Sequence, residues 1–205
     1  MLSEVERERD AAEAGRDRLA FLAEVSRCLA ESLDYETTLT TVAGMSLPYL
    51  GAWCIVDVLT DDGAIRRLAV LHPDPEKEAV ARELHRDYPP HPDDVIGAPR
   101  VMRTGRPEVV LDVPEEALAA SARDARHLAL LRALGAKAYV IVPMVARGRT
   151  LGTMTFVTAD AEHRFGDADV VIAEDLARRA AMAIDNARLY TEAEEARRVA
   201  EEARR

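Results

Sequence analysis

Ala138-Tyr139-Val140-Ile141-Val142-Pro143-Met144, then Arg147-Gly148-Arg149, then Leu151-Gly152-Thr153-Met154-Thr155-Phe156-Val157 is the stretch that decides the fold. The first run is short, continuous and β-branched, which predicts a strand covered on both faces. Gly148 supplies the positive φ that a tight turn needs, so the third run returns as an antiparallel partner. After the loop ending Arg164-Phe165-Gly166, Asp167 is placed to accept hydrogen bonds from the first free amides of a helix. That helix carries Leu176, Ala180, Ala183, Ala187 and Tyr190 at steps of four and three, which puts them on one face.

Working toward the N-terminus, Pro114 to Leu134 reads as a helix closed by Gly135, and Glu108-Val109-Val110-Leu111-Asp112 as a strand. Arg100 to Thr104 is a short helical turn and Pro75 to Tyr88 a short helix ended by Pro89-Pro90. This irregular middle region is where binding loops are expected. Trp53-Cys54-Ile55-Val56-Asp57-Val58-Leu59 and Ile65-Arg66-Arg67-Leu68-Ala69-Val70-Leu71 flank an Asp62-Gly63 turn, a strong hairpin signal. Asp57 interrupts an apolar strand, and a carboxylate there faces either water or a polar cavity, because a buried unpaired charge is costly. Asp34 reads as the N-cap of a helix carrying Leu39, Val42, Ala43 and Leu47 and stopped by Pro48. The stripe Leu22, Val25, Leu29, Leu33 gives the preceding helix a face to dock on the domain.

The 205 residues, 48% of them hydrophobic, suit one domain plus extensions. Residues 1–18 read as a helical connector, 19–190 as the domain, and 191–205 as a helix that runs into a further domain or a partner. The net charge of −10 argues against a nucleic-acid partner. No apolar run is long enough for a membrane span and the N-terminus is charged, so a cytoplasmic location is expected. Cys28 and Cys54 lack the close spacing of a disulfide framework or metal site. His72, His85, His91, His127 and His163 show no zinc-type spacing, and no Gly-rich strand-to-helix loop cradles phosphate.

Four phrases now stand in order. They are Leu50-Gly51-Ala52-Trp53-Cys54-Ile55-Val56-Asp57-Val58, Val101-Met102-Arg103-Thr104-Gly105-Arg106-Pro107, Val142-Pro143-Met144 before Arg147-Gly148-Arg149-Thr150-Leu151-Gly152, and Ala183-Ile184-Asp185-Asn186-Ala187-Arg188-Leu189-Tyr190. Together they resemble a GAF domain, the small-molecule sensor module of bacterial signalling proteins, over residues 18–190. The resemblance implies an α+β fold with a six-stranded antiparallel sheet, the first and last helices on one face and a ligand pocket on the other. Alternation places Trp53, Ile55, Asp57, Tyr139, Ile141, Thr153 and Thr155 toward that pocket, and a one-residue slip would turn them all away.

The tail Ala193 to Ala203 is similar to the linker before the dimerisation helices of sensor histidine kinases. The expected whole is a non-catalytic sensor that binds an unknown small molecule. It forms a parallel homodimer through its terminal helices, with Leu22, Val25, Leu29, Leu176, Ala180, Ala183, Ala187 and Tyr190 as the helix positions that dock and signal. A covalently linked histidine kinase is the expected output, with a PP2C-type phosphatase or cyclase as the alternative. A ligand-free structural spacer is the rival. The cyclic-nucleotide signature of the family is incomplete here, the cysteines lie away from the bilin-attachment region, and the loop cysteine cluster of the sulfoxide-reducing members is missing. No resident cofactor is expected, although in haem-binding members the axial histidine would correspond to His85, His91 or His127.

Overall fold

The computed structural model describes residues 4–32, 34–160 and 164–204, so Leu33 and His163 lie outside the described residues. Seven helices and five strands alternate along it: α1 Glu4–Ala30, α2 Tyr35–Leu50, β1 Trp53–Leu59, β2 Ile65–Leu71, α3 Pro75–Asp87, α4 Gly97–Thr104, β3 Glu108–Val110, α5 Glu115–Ser121, α6 Ala125–Leu134, β4 Ala138–Ala146, β5 Arg149–Thr158 and α7 Asp167–Glu202. The strands form one antiparallel sheet in the order β2-β1-β5-β4-β3. That is one strand fewer than the resemblance implies. Between β2 and β4 the chain makes four helices and only the three-residue β3, because prolines at 75, 89, 90, 92 and 114 repeatedly interrupt extended pairing.

Helices α2 and α7 cover one face of the sheet and α1 packs across both. Cys54, Val56, Val140, Val142, Met154 and Phe156 point into this layer, where they meet Leu39, Val42, Leu176, Ala180 and Ile184. Gly152 lets β5 pass close to β1: a Cβ there would lie 2.2 Å from the Asp57 carbonyl oxygen and 2.9 Å from Val58 Cα. The β4–β5 turn is two residues long, with Arg147 at φ 49° and Gly148 at φ 75°, the paired positive angles of a turn that matches strand twist.

Four local expectations are corrected. Gly166, not Asp167, is the N-cap of α7, because the Asp169 carboxylate one turn on accepts the Gly166 N–H at 2.9 Å. The helix expected over 114–134 is split, since Asp124 accepts the His127 N–H at 2.8 Å and starts α6 anew. Pro48 does not stop α2, which runs to Leu50; within the last turn its missing N–H costs one bond. On the terminal helices, Val25, Leu176, Ala180 and Ala187 are buried and Leu22, Leu29 and Ala183 half-buried, whereas Tyr190 is exposed. The α7 core face comprises Ile172, Ala173, Leu176, Ala177, Ala180, Ala181, Ile184 and Ala187, so the buried positions serve the protomer's own core and are not surface for a partner.

Candidate functional site

The opposite face of the sheet carries three cross-strand rows. Trp53, Val157, Tyr139 and Val110 form the first. Val70, Ile55, Thr155, Ile141 and Glu108 form the second, and Arg67, Asp57, Thr153 and Pro143 the third. All seven residues expected at a pocket therefore share one face. Helix α4 covers the β4–β5 side of this face, and α3, backed by α6, covers the β2 side.

Asp57 is 1% exposed, and its carboxylate accepts two hydrogen bonds from Arg67, from Nε at 2.8 Å and from an Nη at 3.0 Å. The Arg67 side chain keeps 18% of its surface exposed, so the pair bridges from the sheet interior to the cavity above. This pairing follows the register of the β1–β2 turn, and a bulge at Val56/Asp57 shifts the pairs beyond it, Val56 facing Ala69. His85 of α3 stands close enough to both charges to feel them: burial, then Arg67, push its pKa below the ordinary value, and Asp57 partly opposes them.

Three side-chain atoms among the described residues are buried without a protein hydrogen-bond partner: Trp53 Nε1, His85 Nδ1 and Thr153 Oγ1. All three lie in the layer on this side of the sheet, Trp53 on β1, Thr153 on β5 and His85 on the covering helix α3. Buried polar groups without partners are rare and costly, so their confinement to one layer is informative.

A cavity of about 350 Å³ opens above Arg67. Its walls come from Leu84 and His85 of α3, its C-cap residue Tyr88, the 90–96 loop, and Arg123 and His127 at the α5–α6 break. Tyr88 lies flat on His127, with centroids 4.3 Å apart and planes within 6°, and donates its hydroxyl to both Asp124 oxygens at 2.8 and 2.9 Å. His127 accepts the Arg123 N–H at Nδ1, and burial and Arg123 lower its pKa. The volume is at the small end of ligand sites, and two histidines, two arginines and a tyrosine give it donors as well as an apolar rim from Val95 and Ile96. None of the seven expected pocket residues lines this cavity; Arg67 is its only sheet residue.

Sequence reasoning did not single out Arg67, Tyr88 or Glu108. The signal for Arg67 was the hairpin itself: counting outward from Asp62-Gly63 pairs Leu59 with Ile65 and so Asp57 with Arg67. Glu108 fixes α4, accepting from Gly97 N–H at 3.1 Å, Arg100 at 2.9 Å and the Tyr139 hydroxyl at 2.9 Å. Tyr139 is thus engaged with Glu108, and burial and that contact raise its pKa. Cys54 points to the α2–α7 face, where burial pushes its thiol up to about 12, so it offers no nucleophile to the cavity. No group of three or more metal-binding side chains occurs among the described residues, and no helix among them is long and apolar enough to cross a membrane.

No curated protein matches the chain. Solved structures do, at identities that speak to the fold alone. The GAF domain of a phosphoenolpyruvate-protein phosphotransferase from Coxiella burnetii superposes with a TM-score of 0.61 at 17% identity, covering 85% of this chain and 96% of that one. The phycocyanobilin-bound GAF domain of a cyanobacterial phytochrome gives 0.59 at 14% identity, covering 84% and 96%. A domain of a putative two-component sensor histidine kinase protein from Sinorhizobium meliloti 1021 gives 0.51 at 22% identity, covering 80% and 94%. The GAF domain family model matches residues 34–184, from the Asp34 cap to the core face of α7, and the chain belongs to the GAF domain family.

Proposed function

We propose that this chain is a sensory module: it binds a small polar organic molecule between the Asp57 face of the sheet and α3, and relays occupancy through α7 to a histidine kinase output. The observation that carries the reading is the set of three buried, unpartnered polar atoms, Trp53 Nε1, His85 Nδ1 and Thr153 Oγ1, on the side of the sheet that carries the Arg67 cavity, which His85 itself lines. A ligand carrying both donors and acceptors would satisfy groups the protein leaves unsatisfied. The bilin-bound and kinase-associated relatives support a ligand and a kinase output respectively.

The route to α7 is short. Arg188 donates to the Leu59 carbonyl at the end of β1 at 2.9 Å, and Arg147 of the β4–β5 turn pairs with Asp185 at 2.7 Å. A ligand that alters the Asp57–Arg67 pair acts on the hairpin whose end Arg188 holds, and so favours one packing of α7 over another. In this reading the exit helix works as part of a homodimer, 1–18 and 191–205 being the linkers on either side of the sensor domain.

The rival reading is a ligand-free spacer, and one observation favours it: Arg67 already gives each oxygen of the Asp57 carboxylate a charged hydrogen bond. Native mass spectrometry of protein from its own host, followed by denaturation, separates the two. A stoichiometric released compound whose retention falls in Thr153→Val establishes the sensor. A chain that carries no compound and gains no Tm across a panel of metabolites overturns it in favour of the spacer.

A further inference from the structure

Between Ala177 and Ala187, α7 buries Ala177, Ala180, Ala181, Ile184 and Ala187 in its own domain. In a heptad with Asn186 at a, these occupy f, b, c, f and b, the side opposite the a/d edge. That edge is exposed and regular. Met182, Asn186, Leu189, Ala193, Ala196 and Ala200 follow one another at steps of four and three, continuing to Ala203, and Met182 is 52% and Leu189 38% exposed. The alanine run near the C-terminus thus continues this exposed edge, beginning within the domain at Met182, and spans about 32 Å of helix at 1.5 Å per residue.

We infer that this edge is the seam at which a second copy of the chain docks, parallel and in one register, and that Asn186 and the Glu192/Arg197 pair select that arrangement. The inference rests on the dimeric-relay reading and supplies its register. Asn186 is the only asparagine in the chain. At a central a position among Met182, Leu189 and Ala193, its amide is satisfied within the seam when it faces the same amide of a second copy, which fixes both strand number and register. The flanking charges agree. Glu192 is at g and Arg197 at the following e, so parallel in-register pairing sets each Glu192 against the partner copy's arginine at 197. Antiparallel pairing opposes g with g and e with e, and so brings acid toward acid and arginine toward arginine.

In the protomer Arg197 reaches Glu194 at 3.7 Å and Glu201 at 3.4 Å, exposed same-helix contacts that leave it able to turn to a partner. Continuity with the domain supplies the remaining surface. A groove of about 400 Å³ between α1 and α7 includes Leu29, Met182 and Asn186, so the seam runs into a cleft where a second copy's helices can seat. An alanine-rich edge alone would associate weakly; the seam's specificity lies in its asparagine and its charges.

The test uses the 205-residue chain carrying Cys28→Ser. Under mild oxidation, Ala193→Cys at a is expected to form a disulfide dimer and Arg198→Cys at f is not. By analytical ultracentrifugation, Glu192→Arg and Arg197→Glu each weaken the dimer about tenfold, and the double variant restores it. Asn186→Leu gives species larger than a dimer. A chain that dimerises while residue 193 fails to cross-link, or in which the charge reversals do not compensate, overturns the seam and leaves the dimeric relay standing. A chain that stays monomeric at its solubility limit overturns both.

Discussion

Arg67→Met tests the site at its most loaded contact. The substitution keeps most of the side-chain volume but removes both hydrogen bonds to Asp57, leaving a carboxylate that is 1% exposed without its charge partner. Removing one member of a buried ion pair typically costs about 3–5 kcal/mol. The cross-strand neighbour Thr153 has a hydroxyl to offer, but one neutral donor does not replace two charged ones. In a chain of this size each kcal/mol is worth about 2–4 °C in Tm, so a loss of about 6–20 °C is expected. Asp57→Val in the same chain should return stability to within about 1 kcal/mol of the parent, because an apolar pair of similar volume avoids the desolvation of both charges. Urea unfolding of the single and double variants measures both numbers. A cost below about 1 kcal/mol for Arg67→Met, or a double variant as unstable as the single, would refute the buried-pair reasoning.

Other outcomes follow from the same geometry. Gly152→Ala places a methyl group against the backbone of β1, with contacts of 2.2 and 2.9 Å that no rotamer relieves, and should destabilise by at least about 3 kcal/mol in thermal unfolding. The pKa values of His72, His85 and His127 are all lowered, chiefly by burial, so the unfolded chain binds more protons and stability falls as pH drops below about 6.5. His85→Gln should flatten that slope in denaturant titrations between pH 7 and 5, about one histidine's share. In Arg67→Met the His85 pKa should rise, since Arg67 lowers it and Asp57 raises it; NMR titration reads the sign. The buried Cys54 thiol, pushed up to about 12, should resist alkylation in the native state while half-buried Cys28 reacts; equal rates would show that the α2–α7 layer opens readily.

The sheet was legible because its strands announce themselves by composition and its turns by chemistry. The hairpins at Asp62-Gly63 and Arg147-Gly148 fix two of the four pairings, and alternation along β1, β4 and β5 then puts Trp53, Asp57, Tyr139 and Thr153 on one face. What the pattern did not reveal was how that face is covered. The cavity wall is assembled from α3, the proline-rich loop and the α5–α6 break, whose placement depends on single contacts such as Glu108 with Gly97 and Asp124 with His127. A carboxylate that reaches eleven residues back or three residues on leaves no periodic trace. The core face of α7 was misassigned at Tyr190, and Ala183 lies only at its edge, for a related reason. The helix is so rich in alanine that several stripes look equally apolar, and only packing decides between them.

That alanine-rich face bears on the proposed relay. Large interdigitating side chains lock a helix into one position; α7 buries three of them, Ile172, Leu176 and Ile184, and between them Ala173, Ala177, Ala180, Ala181 and Ala187 present a low surface over which a small shift forfeits few contacts. The fixed points are polar and lie where α7 leaves the sheet, at Arg147–Asp185 and Arg188–Leu59. Both tie the helix to hairpin ends rather than to the middle of the sheet, so a change at Asp57 and Arg67 meets α7 where the exposed edge from Met182 onward begins to diverge from the domain. A sensor that transmits by small displacements needs compliance along the helix and grip at its exit. Arg188→Ala should therefore leave ligand binding intact while uncoupling it from the output, whereas replacing Ala180 with leucine should impair folding first, because that side of the helix has no spare room.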